Sequence, residues 1–437
     1  MTRNDPLGLT PWMERWGMFP PEGGTILCAL SGGEDSTCLL DCLWQLGQAR
    51  GFTVAAGHLN HLMRPTAQRD EDFVTALCQE RNIPLYLRRT DVTALAEREN
   101  ISLEEAGRQA RYDFLHDTAD DIGAAFIATA HHREDQAETV LLQLLRGTGT
   151  QGLTGIPPVR GRIIRPLLDT DKASITAYLE ERGIGHVFDE TNDQRTYARN
   201  RLRLDIMPQL LDINPALAAH ICRTADILRG ENELLDDLAR QRLPQDGTAV
   251  GTSAFASAPE PLRRRMARLL VERLPIGKKD FTARHYDALV RLAETGGSLS
   301  LPYGASAVCA DGVLTLFLKA PPPEETPLTV GDNRFGTWRV TVSEAPLAGA
   351  MAVRRLPLTV RTWQRDDRMR LPESRGQRSL KRLMADGNIP LSQRETWPVV
   401  CADGRPIALW QVGIDESVLP ESADSALYIT ISTYSED

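Results

Sequence analysis

The chain has 437 residues, a formal net charge of −9, and 42% hydrophobic and 25% charged residues. These values are typical of a globular protein of two or three domains. No apolar run approaches the roughly 20 residues that span a bilayer, and charged residues and tryptophans interrupt any apolar stretch of a signal peptide near the N-terminus. We therefore expect a soluble cytoplasmic protein that does not enter the membrane. Because the average charge is acidic, a nucleic-acid partner would require local basic patches.

Residues 20 to about 205 alternate short apolar strands with amphipathic helices. This alternation predicts an α/β domain, a parallel sheet covered by helices, with ligands at the carboxyl ends of the strands. Strands are predicted at 25–30, 52–58, 85–87 and 124–130, with a further short one at 163–164; helices are predicted at 37–48, 67–80, 102–115, 135–145 and 171–182.

The rest of the chain changes character twice. Residues 206–330 are predicted to form a mainly helical domain with a short β segment at 298–317, where Asp311-Gly312 signals a hairpin. The proline-rich residues 320–327 predict a stiff linker. Residues 350–437 are predicted to form a small α+β domain. Helices are expected at 217–243, 259–274, 283–295 and 379–386, and strands at 338–342, 358–363, 398–400, 407–412 and 427–431.

The loop Ser31–Ser36 follows the first strand and opens the first helix. Two glycines allow the backbone to approach an anion, and the free N–H groups and dipole of a helix start stabilise negative charge. An ordinary strand-to-helix turn is the alternative. The loop is not a Walker P-loop, because it has no lysine to bind a terminal phosphate. It suits a reaction that leaves pyrophosphate in the loop, with Asp35 placed to bind Mg²⁺ or to form a hydrogen bond.

A second polar cluster, residues 130–139, lies where the fourth strand passes into a helix. His131 could donate to a phosphate or an adenylate. Asp135 and Glu138 are three residues apart and therefore share a helix face that could hold an ammonium group. The alternative is that these acids only stabilise the helix start.

Arginines recur at several places. Arg108 and Arg111 share a helix face and could contact phosphates, although an exposed surface explains the spacing equally well. Residues 193–203 form a second arginine-rich stretch, with a solvated helix start as the alternative. Further basic stretches favour a large anionic partner, although each alone is typical of a solvated face. These stretches contain Arg195, Arg199, Arg201 and Arg203; Arg263, Arg264, Arg265 and Arg268; and Arg354, Arg355, Arg361, Arg365, Arg368, Arg370, Arg375, Arg378, Lys381 and Arg382.

These residues together resemble the tRNA(Ile)-lysidine synthetases, within the larger group of N-type ATP pyrophosphatases. The resemblance covers most of residues 25–205 and 350–435. It rests on Ser31–Ser36, His58 with Asn60, His61 and Arg64, the helix with Glu105, Arg108, Arg111 and Tyr112, the stretch His131–Thr139, the run from Leu145 to Leu153, Arg165-Pro166-Leu167, and Arg199 with Asn200 and Arg203.

The resemblance implies a Rossmann-like catalytic domain, a helical domain and a terminal domain that contacts tRNA. The implied reaction uses ATP and Mg²⁺ to adenylate the C2 oxygen of the wobble cytidine in the CAU anticodon of tRNA(Ile). The ε-amine of L-lysine then displaces AMP. The resemblance also assigns residues. ATP, with Mg²⁺ at Asp35, would be bound by Ser31, Gly32, Gly33, Glu34, Asp35 and Ser36, joined by His58, Asn60 and Arg108; catalysis would involve Asp35, His131, Asp135, Arg111 and Arg199, and substrate binding Glu138, Arg203, Arg368 and Arg370.

Three residues depart from the family pattern. Glu34 stands where the family has a small or apolar residue, and it adds a negative charge beside phosphates unless its side chain points away. Glu134 replaces a common aspartate, and Met63 a leucine. None of these changes removes a group that the chemistry needs, so we expect activity.

Two other functions compete with this one. A tRNA thiolase would use the same loop, but the seven cysteines include no C-x-x-C pair for sulfur delivery or a cluster. A silent nucleotide- or RNA-binding module conflicts with the intact Asp35, His131 and Asp135. The sequence leaves open the general base, the role of Glu34, the tRNA discrimination determinants and whether the protein is a homodimer.

Overall fold

The computed structural model describes residues 5–62, 67–187, 198–319, 322–374, 376–390, 393–422 and 425–433, which belong to two compact units, 1–234 and 235–437. Met63, Arg64, Arg195 and Arg375, which the sequence analysis singled out, lie outside these ranges. Among the helices that the structure describes, none is long and apolar enough to cross a bilayer.

The first unit is built on a six-stranded sheet in the order β3-β2-β1-β4-β6-β5. All neighbouring strands are parallel except the short β5–β6 pair. The predicted parallel sheet is therefore confirmed. Its strands are β1 (Thr25–Ala29), β2 (Thr53–Asn60), β3 (Leu85–Arg89), β4 (Phe126–Ala128), β5 (Val159–Arg160) and β6 (Ile163–Ile164).

Helices cover this sheet. The long helix after β1 buries Leu39, Leu40, Leu43 and Leu46 completely, as its apolar spacing predicts, and each buried leucine contributes about 1.5–3 kcal/mol. The helices are α1 (Thr10–Arg15), α2 (Glu34–Arg50), α3 (Ala67–Glu80), α4 (Val92–Glu99), α5 (Leu103–Asp121), α6 (Arg133–Leu145), α7 (Lys172–Arg182), α8 (Ala198–Arg201), α9 (Met207–Ile213) and α10 (Leu217–Arg240).

The strand order places a crevice at one edge of the sheet. From β1 the chain runs outward through β2 to β3, and then returns to β4 on the other side of β1. Ligands of open α/β sheets bind where the order reverses in this way, outside the carboxyl ends of the strands. The loop 31–36 leaves β1 at this point, and His131 and His132 follow β4 at the same edge.

The second unit begins with helices packed on a small antiparallel sheet in the order β7-β10-β9-β8. The hairpin predicted at Asp311-Gly312 is confirmed, because both residues have positive φ, 50° and 75°, as a type I′ turn requires. The elements are β7 (Ala249–Gly251), α11 (Thr252–Ala256), α12 (Glu260–Glu272), α13 (Ala283–Thr295), β8 (Gly297–Ser300), β9 (Ala305–Ala310) and β10 (Val313–Leu318).

Among the remaining residues, those that the structure describes form two antiparallel sheets, a strand pair and one α-helix, in agreement with the predicted α+β character. The order is β11-β15-β18-β19-β20 in one sheet and β12-β13-β21-β14 in the other. The elements are β11 (Thr326–Leu328), β12 (Gly331–Phe335), β13 (Trp338–Ser343), β14 (Met351–Arg354), β15 (Leu358–Arg361), β16 (Arg368–Met369), β17 (Arg378–Ser379), α14 (Leu380–Asp386), β18 (Val399–Ala402), β19 (Arg405–Leu409), β20 (Gly413–Ile414) and β21 (Ala426–Thr433).

The prediction of a linker over residues 320–327 is wrong for its last two residues. Thr326 and Pro327 belong to β11, which pairs with β15 at the edge of the first of these sheets. Proline is tolerated on an edge strand because it has no N–H to donate to a neighbour. A proline-rich composition therefore did not distinguish a linker from an edge strand.

Candidate functional site

The loop 31–36 is held by its own hydroxyl groups. Ser36 Oγ accepts from Ser31 N at 3.2 Å and donates to Gly33 O at 3.0 Å, while Thr37 Oγ1 donates to Gly32 O at 3.2 Å. Gly32 has φ +89°, a conformation that side chains rarely adopt, and a Cβ there would lie 3.2 Å from Val74 Cγ1. The loop thus fixes a tight turn that requires glycine, directly before the N-terminus of α2.

The first turn of α2 carries two acids that contact the same lysine. Lys172, the first residue of α7, donates its ammonium group to Asp35 and lies 2.8 Å from Glu34 Oε2. Thr176 also donates a hydrogen bond to Glu34. Although burial raises the pKa of Glu34, the hydrogen bonds from Lys172 and Thr176 lower it below the usual value. The Glu34 carboxylate is therefore charged and contacts α7.

His132 links the loop to α6. Its Nε2 lies 3.8 Å from Asp35 Oδ2 and 3.5 Å from Asp135 Oδ2, and its Nδ1 lies 2.9 Å from Glu134 Oε2. Burial lowers the pKa of His132, but the hydrogen bond with Glu134 and the nearby Asp135 and Asp35 raise it above the usual value. The loop and the start of α6 therefore form one polar cluster.

The pKa of His131 is shifted in the opposite direction, below its usual value. Burial lowers its pKa to about 4; Asp135 opposes this shift, and Arg165, Arg199 and Arg108 add to it. Its Nδ1 lies 3.1 Å from Thr129 Oγ1. At neutral pH the ring is therefore uncharged, so it can donate one hydrogen bond without adding a positive charge.

Asp135 and Glu138 share a face of α6, as predicted, and two arginines contact both of them. Asp135 Oδ1 accepts from Arg199 Nη2 at 3.0 Å and from Arg203 Nη2 at 2.8 Å. Glu138 Oε2 accepts from Arg199 Nε at 3.0 Å and from Arg203 Nη2 at 2.9 Å. Glu138 is 2% exposed. In this structure two guanidinium groups thus occupy the face for which an ammonium group was expected.

Arg203 lies on a π-helical turn, Leu202–Ile206, that joins α8 to α9. Such turns are rare and often occur at functional sites, because they re-aim side chains relative to a regular helix. Here the turn follows α8 closely enough that Arg199 and Arg203 reach the same two carboxylates. Within the arginine-rich stretch, Arg199 and Arg203 are therefore part of the polar cluster and not only of a solvated helix start.

Other predicted residues lie around this cluster. Arg108 and Arg111 are exposed on α5, and Arg108 Cζ lies 5.0 Å from the centroid of the Tyr112 ring. His58 is buried at the end of β2, with Nδ1 2.8 Å from Leu30 O, the residue before the loop. Asn60 is also buried and donates to Glu71 at 3.0 Å. His58 thus contacts the residue that precedes the loop, whereas Asn60 contacts α3.

The basic stretch on α12 is engaged in ion pairs within the protein. Arg263 contacts Glu294, Arg264 contacts Asp287, and both Arg265 and Arg268 contact Asp236. Arg265 and Arg268 are each 13% exposed. These ion pairs join α12 to α10 and α13, and a role of this stretch in binding a polyanion stays a prediction.

The C-terminal basic stretch divides in two. Arg361 is buried in an ion pair with Asp367, with N–O distances of 2.8 and 2.9 Å, and is not part of a basic surface as predicted. Arg368 is exposed on β16. Arg370 is 48% exposed and lies 3.0 Å from Glu416 Oε1. An anion that binds to this stretch would therefore contact its exposed arginines and not Arg361.

Two residues of the cluster were missed by sequence reasoning, Lys172 and His132. Lys172 is 137 residues from Asp35, and a lone lysine at a helix start gives no sequence signal. His132 adjoins His131 and was part of the predicted stretch, but spacing did not show which histidine faces Asp35. The Asp171-x-x-Ser174 cap, in which Asp171 accepts from Ser174 N at 2.8 Å, placed the start of α7 without indicating its role.

Comparison with known proteins agrees with the fold. Residues 16–210 match the PP-loop domain family, and residues 358–430 match the TilS substrate C-terminal domain family. Similar proteins named tRNA(Ile)-lysidine synthase include those of Geobacillus kaustophilus, 31% identical over 94% of this chain and 95% of its own length, and Dehalococcoides mccartyi, 33% identical over 90% and 91%. The enzyme of the same name from Bacillus subtilis is 30% identical over 92% of each chain.

Proposed function

The chain belongs to the tRNA(Ile)-lysidine synthase family, and we propose that it ligates L-lysine to C2 of the wobble cytidine in the CAU anticodon of tRNA(Ile). The observation that carries this proposal is the meeting of the loop with α6. His132 Nε2 lies within 4 Å of both Asp35 and Asp135, so the phosphate-binding loop and the arginine–carboxylate cluster belong to one site. A ligase that activates one substrate with ATP before a second substrate attacks needs these two parts together.

In the first step, the C2 oxygen of the cytidine attacks the α-phosphate of ATP and pyrophosphate leaves. The loop 31–36 binds the β- and γ-phosphates, because it presents the free N–H groups and the dipole of a helix N-terminus. Arg108 and Arg199 are near enough to His131 to lower its pKa. These two arginines and the neutral His131 ring donate hydrogen bonds to the adenylate. Arg111 lies one turn from Arg108 on α5.

In the second step, the ε-amine of lysine attacks C2, the bond from C2 to the adenylated oxygen breaks, and AMP leaves with that oxygen. Asp135 and Glu138 bind the incoming ammonium group, in exchange for one of their contacts with Arg199 and Arg203. The Asp135 carboxylate supports this role, because burial raises its pKa but His132 and the arginines lower it below the usual value.

The site is compatible with magnesium bound mainly through the substrate. Among the residues that the structure describes, no group of three or more histidine, cysteine or acidic side chains could hold a metal by itself. Mg²⁺ usually takes one or two carboxylates together with phosphates and water, and the 31% exposed Asp35 supplies one. When bound, Mg²⁺ would neutralise charge on the leaving pyrophosphate.

The cysteines favour a ligase over a thiolase. All seven are free, and six are buried. Burial raises the pKa of Cys78 to about 11 and those of Cys222 and Cys401 to about 12. Sulfur transfer requires a thiolate that is accessible and has a low pKa. Six of the cysteines are buried, and the pKa of the seventh, Cys222, is raised.

The reaction is tested with purified protein, tRNA(Ile) transcript, ATP and radiolabelled L-lysine. We expect pyrophosphate release that depends on tRNA, and incorporation of lysine into tRNA in equal amount. The control is the same transcript with uridine at the wobble position, which lacks the exocyclic amine of cytidine. Turnover that ignored lysine and required a sulfur donor would contradict the proposal, as would equal labelling of the control transcript.

The C-terminal arginines give a separate prediction about tRNA. The double variant R368A/R370A should bind tRNA more weakly, with a salt dependence that falls by about one unit of slope for each phosphate that the protein no longer neutralises. The matched control is R263A/R264A, since these arginines pair with Glu294 and Asp287. Binding is measured by filter retention across a salt titration. An unchanged slope for R368A/R370A, or an equal loss in the control, would contradict this role.

A further inference from the structure

We propose that Lys172 is an additional phosphate-binding residue of the ATP site, and that Glu34 positions it. The loop 31–36 lacks the lysine with which Walker loops bind phosphate, and α7 supplies an ammonium group at the same place from a distant part of the chain. The inference rests on the ATP use of the proposed function, and it adds a residue that neither the loop motif nor its spacing indicates.

The position of the ammonium group is the first argument. Glu34 and Asp35 are the first two residues of α2, and Lys172 Nζ contacts the carboxylates of both. A phosphate bound by the loop would lie at this same helix N-terminus. An ammonium group that is next to both carboxylates is therefore also next to the anion. It carries three N–H donors, so one remains for a phosphate oxygen beyond these two contacts.

Lys172 is also held at both ends, at its backbone N–H and at its ammonium group. Its backbone N donates to Glu134 Oε2 at 3.0 Å, and the same carboxylate oxygen contacts His132. Its side chain is 36% exposed, so the ammonium group remains accessible to a ligand. A cation fixed by its neighbours before the ligand arrives loses little conformational entropy on binding.

This arrangement also accounts for Glu34. An extra acid beside phosphates should weaken their binding through repulsion. Here Glu34 accepts from Thr176, one turn further along α7, and from Lys172, so it forms a bridge between α2 and α7. Its charge is thus compensated by the cation that it positions. A small residue in its place would leave Lys172 with Asp35 as its one acidic contact in the loop.

Calorimetric titration with magnesium pyrophosphate, without tRNA or lysine, tests the proposal. For K172M we expect the dissociation constant to rise about tenfold, the loss of one hydrogen bond to a charged group. K172R should stay within about threefold of the wild type, because it keeps the charge. The matched control is R182M, since Arg182 lies on the same helix, is also 36% exposed, and pairs with Asp41 of α2 away from the loop.

The double variant E34V/K172M separates direct contact from simple compensation of charge. If Lys172 contacts phosphate, this variant stays as weak as K172M. Wild-type affinity in the double variant would overturn the proposal, because Lys172 would then only neutralise Glu34. Wild-type affinity in K172M, or an equal loss in R182M, would overturn it too. If the pyrophosphate results hold while the wild type incorporates no lysine into tRNA, the proposed function fails and this inference stands.

Discussion

Replacing Asp35 with alanine should reduce lysine incorporation by on the order of 10³-fold, because the carboxylate that would hold Mg²⁺ at the reacting phosphates is lost. Asp35 is the acid of the loop that contacts both Lys172 and His132. Without it, the Mg²⁺ proposed for this site would lack its protein ligand. The expected change is in kcat for pyrophosphate release, measured with saturating tRNA and lysine.

The fold should tolerate this change. Asp35 is 31% exposed, and Lys172 keeps its contact with Glu34 when Asp35 is absent. The matched control is D70A, which removes another acid from the first turn of a helix in the same unit, where Asp70 contacts Arg69 and its side chain is 22% exposed. D70A should keep wild-type turnover. Wild-type rates in a folded D35A variant, or an equal loss in D70A, would contradict the assignment.

Much of the catalytic unit was predictable because its signals are local. The helix α2 could be predicted from its apolar spacing and the strand β1 from its apolar run, each within a single stretch of sequence. The helix predicted at 67–80 matches α3 residue for residue. The two sites of polar residues, after β1 and after β4, could be brought to one edge because parallel strands end on the same side.

What the sequence could not predict depends on contacts between distant residues. Lys172 reaches the loop from 137 positions away, and Arg199 contacts Asp135 from 64 positions away. Neither lysines at helix starts nor arginines in a polar stretch differ in sequence from ordinary surface residues. The role of Glu34 was open for the same reason, since its direction depends on Thr176 of α7.

The basic stretches illustrate the limit most clearly. Arg265 and Arg361 look like surface cations in sequence, yet the first is 13% exposed beside Asp236, and the second is buried beside Asp367. A count of positive charges along the sequence omits the acidic side chains that the fold places beside them. The boundaries of the three predicted domains remain predictions.

The Arg361–Asp367 pair should therefore stabilise the C-terminal sheets rather than bind tRNA. Both side chains are less than 10% exposed, and Asp367 also accepts from Gln364 N at 2.6 Å. The hydrogen bond from Arg361 to Asp367 raises the pKa of Arg361 above its usual value, despite burial. Arg361 stays charged when Asp367 is neutralised, because a guanidinium group does not lose its proton in proteins. A buried charge without its partner costs about 3–5 kcal/mol.

We thus expect D367N to lower the free energy of opening of the β15–β18 region by about 3–5 kcal/mol. Hydrogen exchange of the β15 and β18 amides in the full chain measures this opening for the sheet itself. The matched control is E416Q, because the Glu416–Arg370 pair is 38% and 48% exposed and should contribute less than about 1 kcal/mol. The double variant R361M/D367N removes both charges and should recover much of the loss. Equal hydrogen-exchange protection in D367N and E416Q, or no recovery in the double variant, would show that the unpaired charge of Arg361 does not cause the loss of stability in D367N.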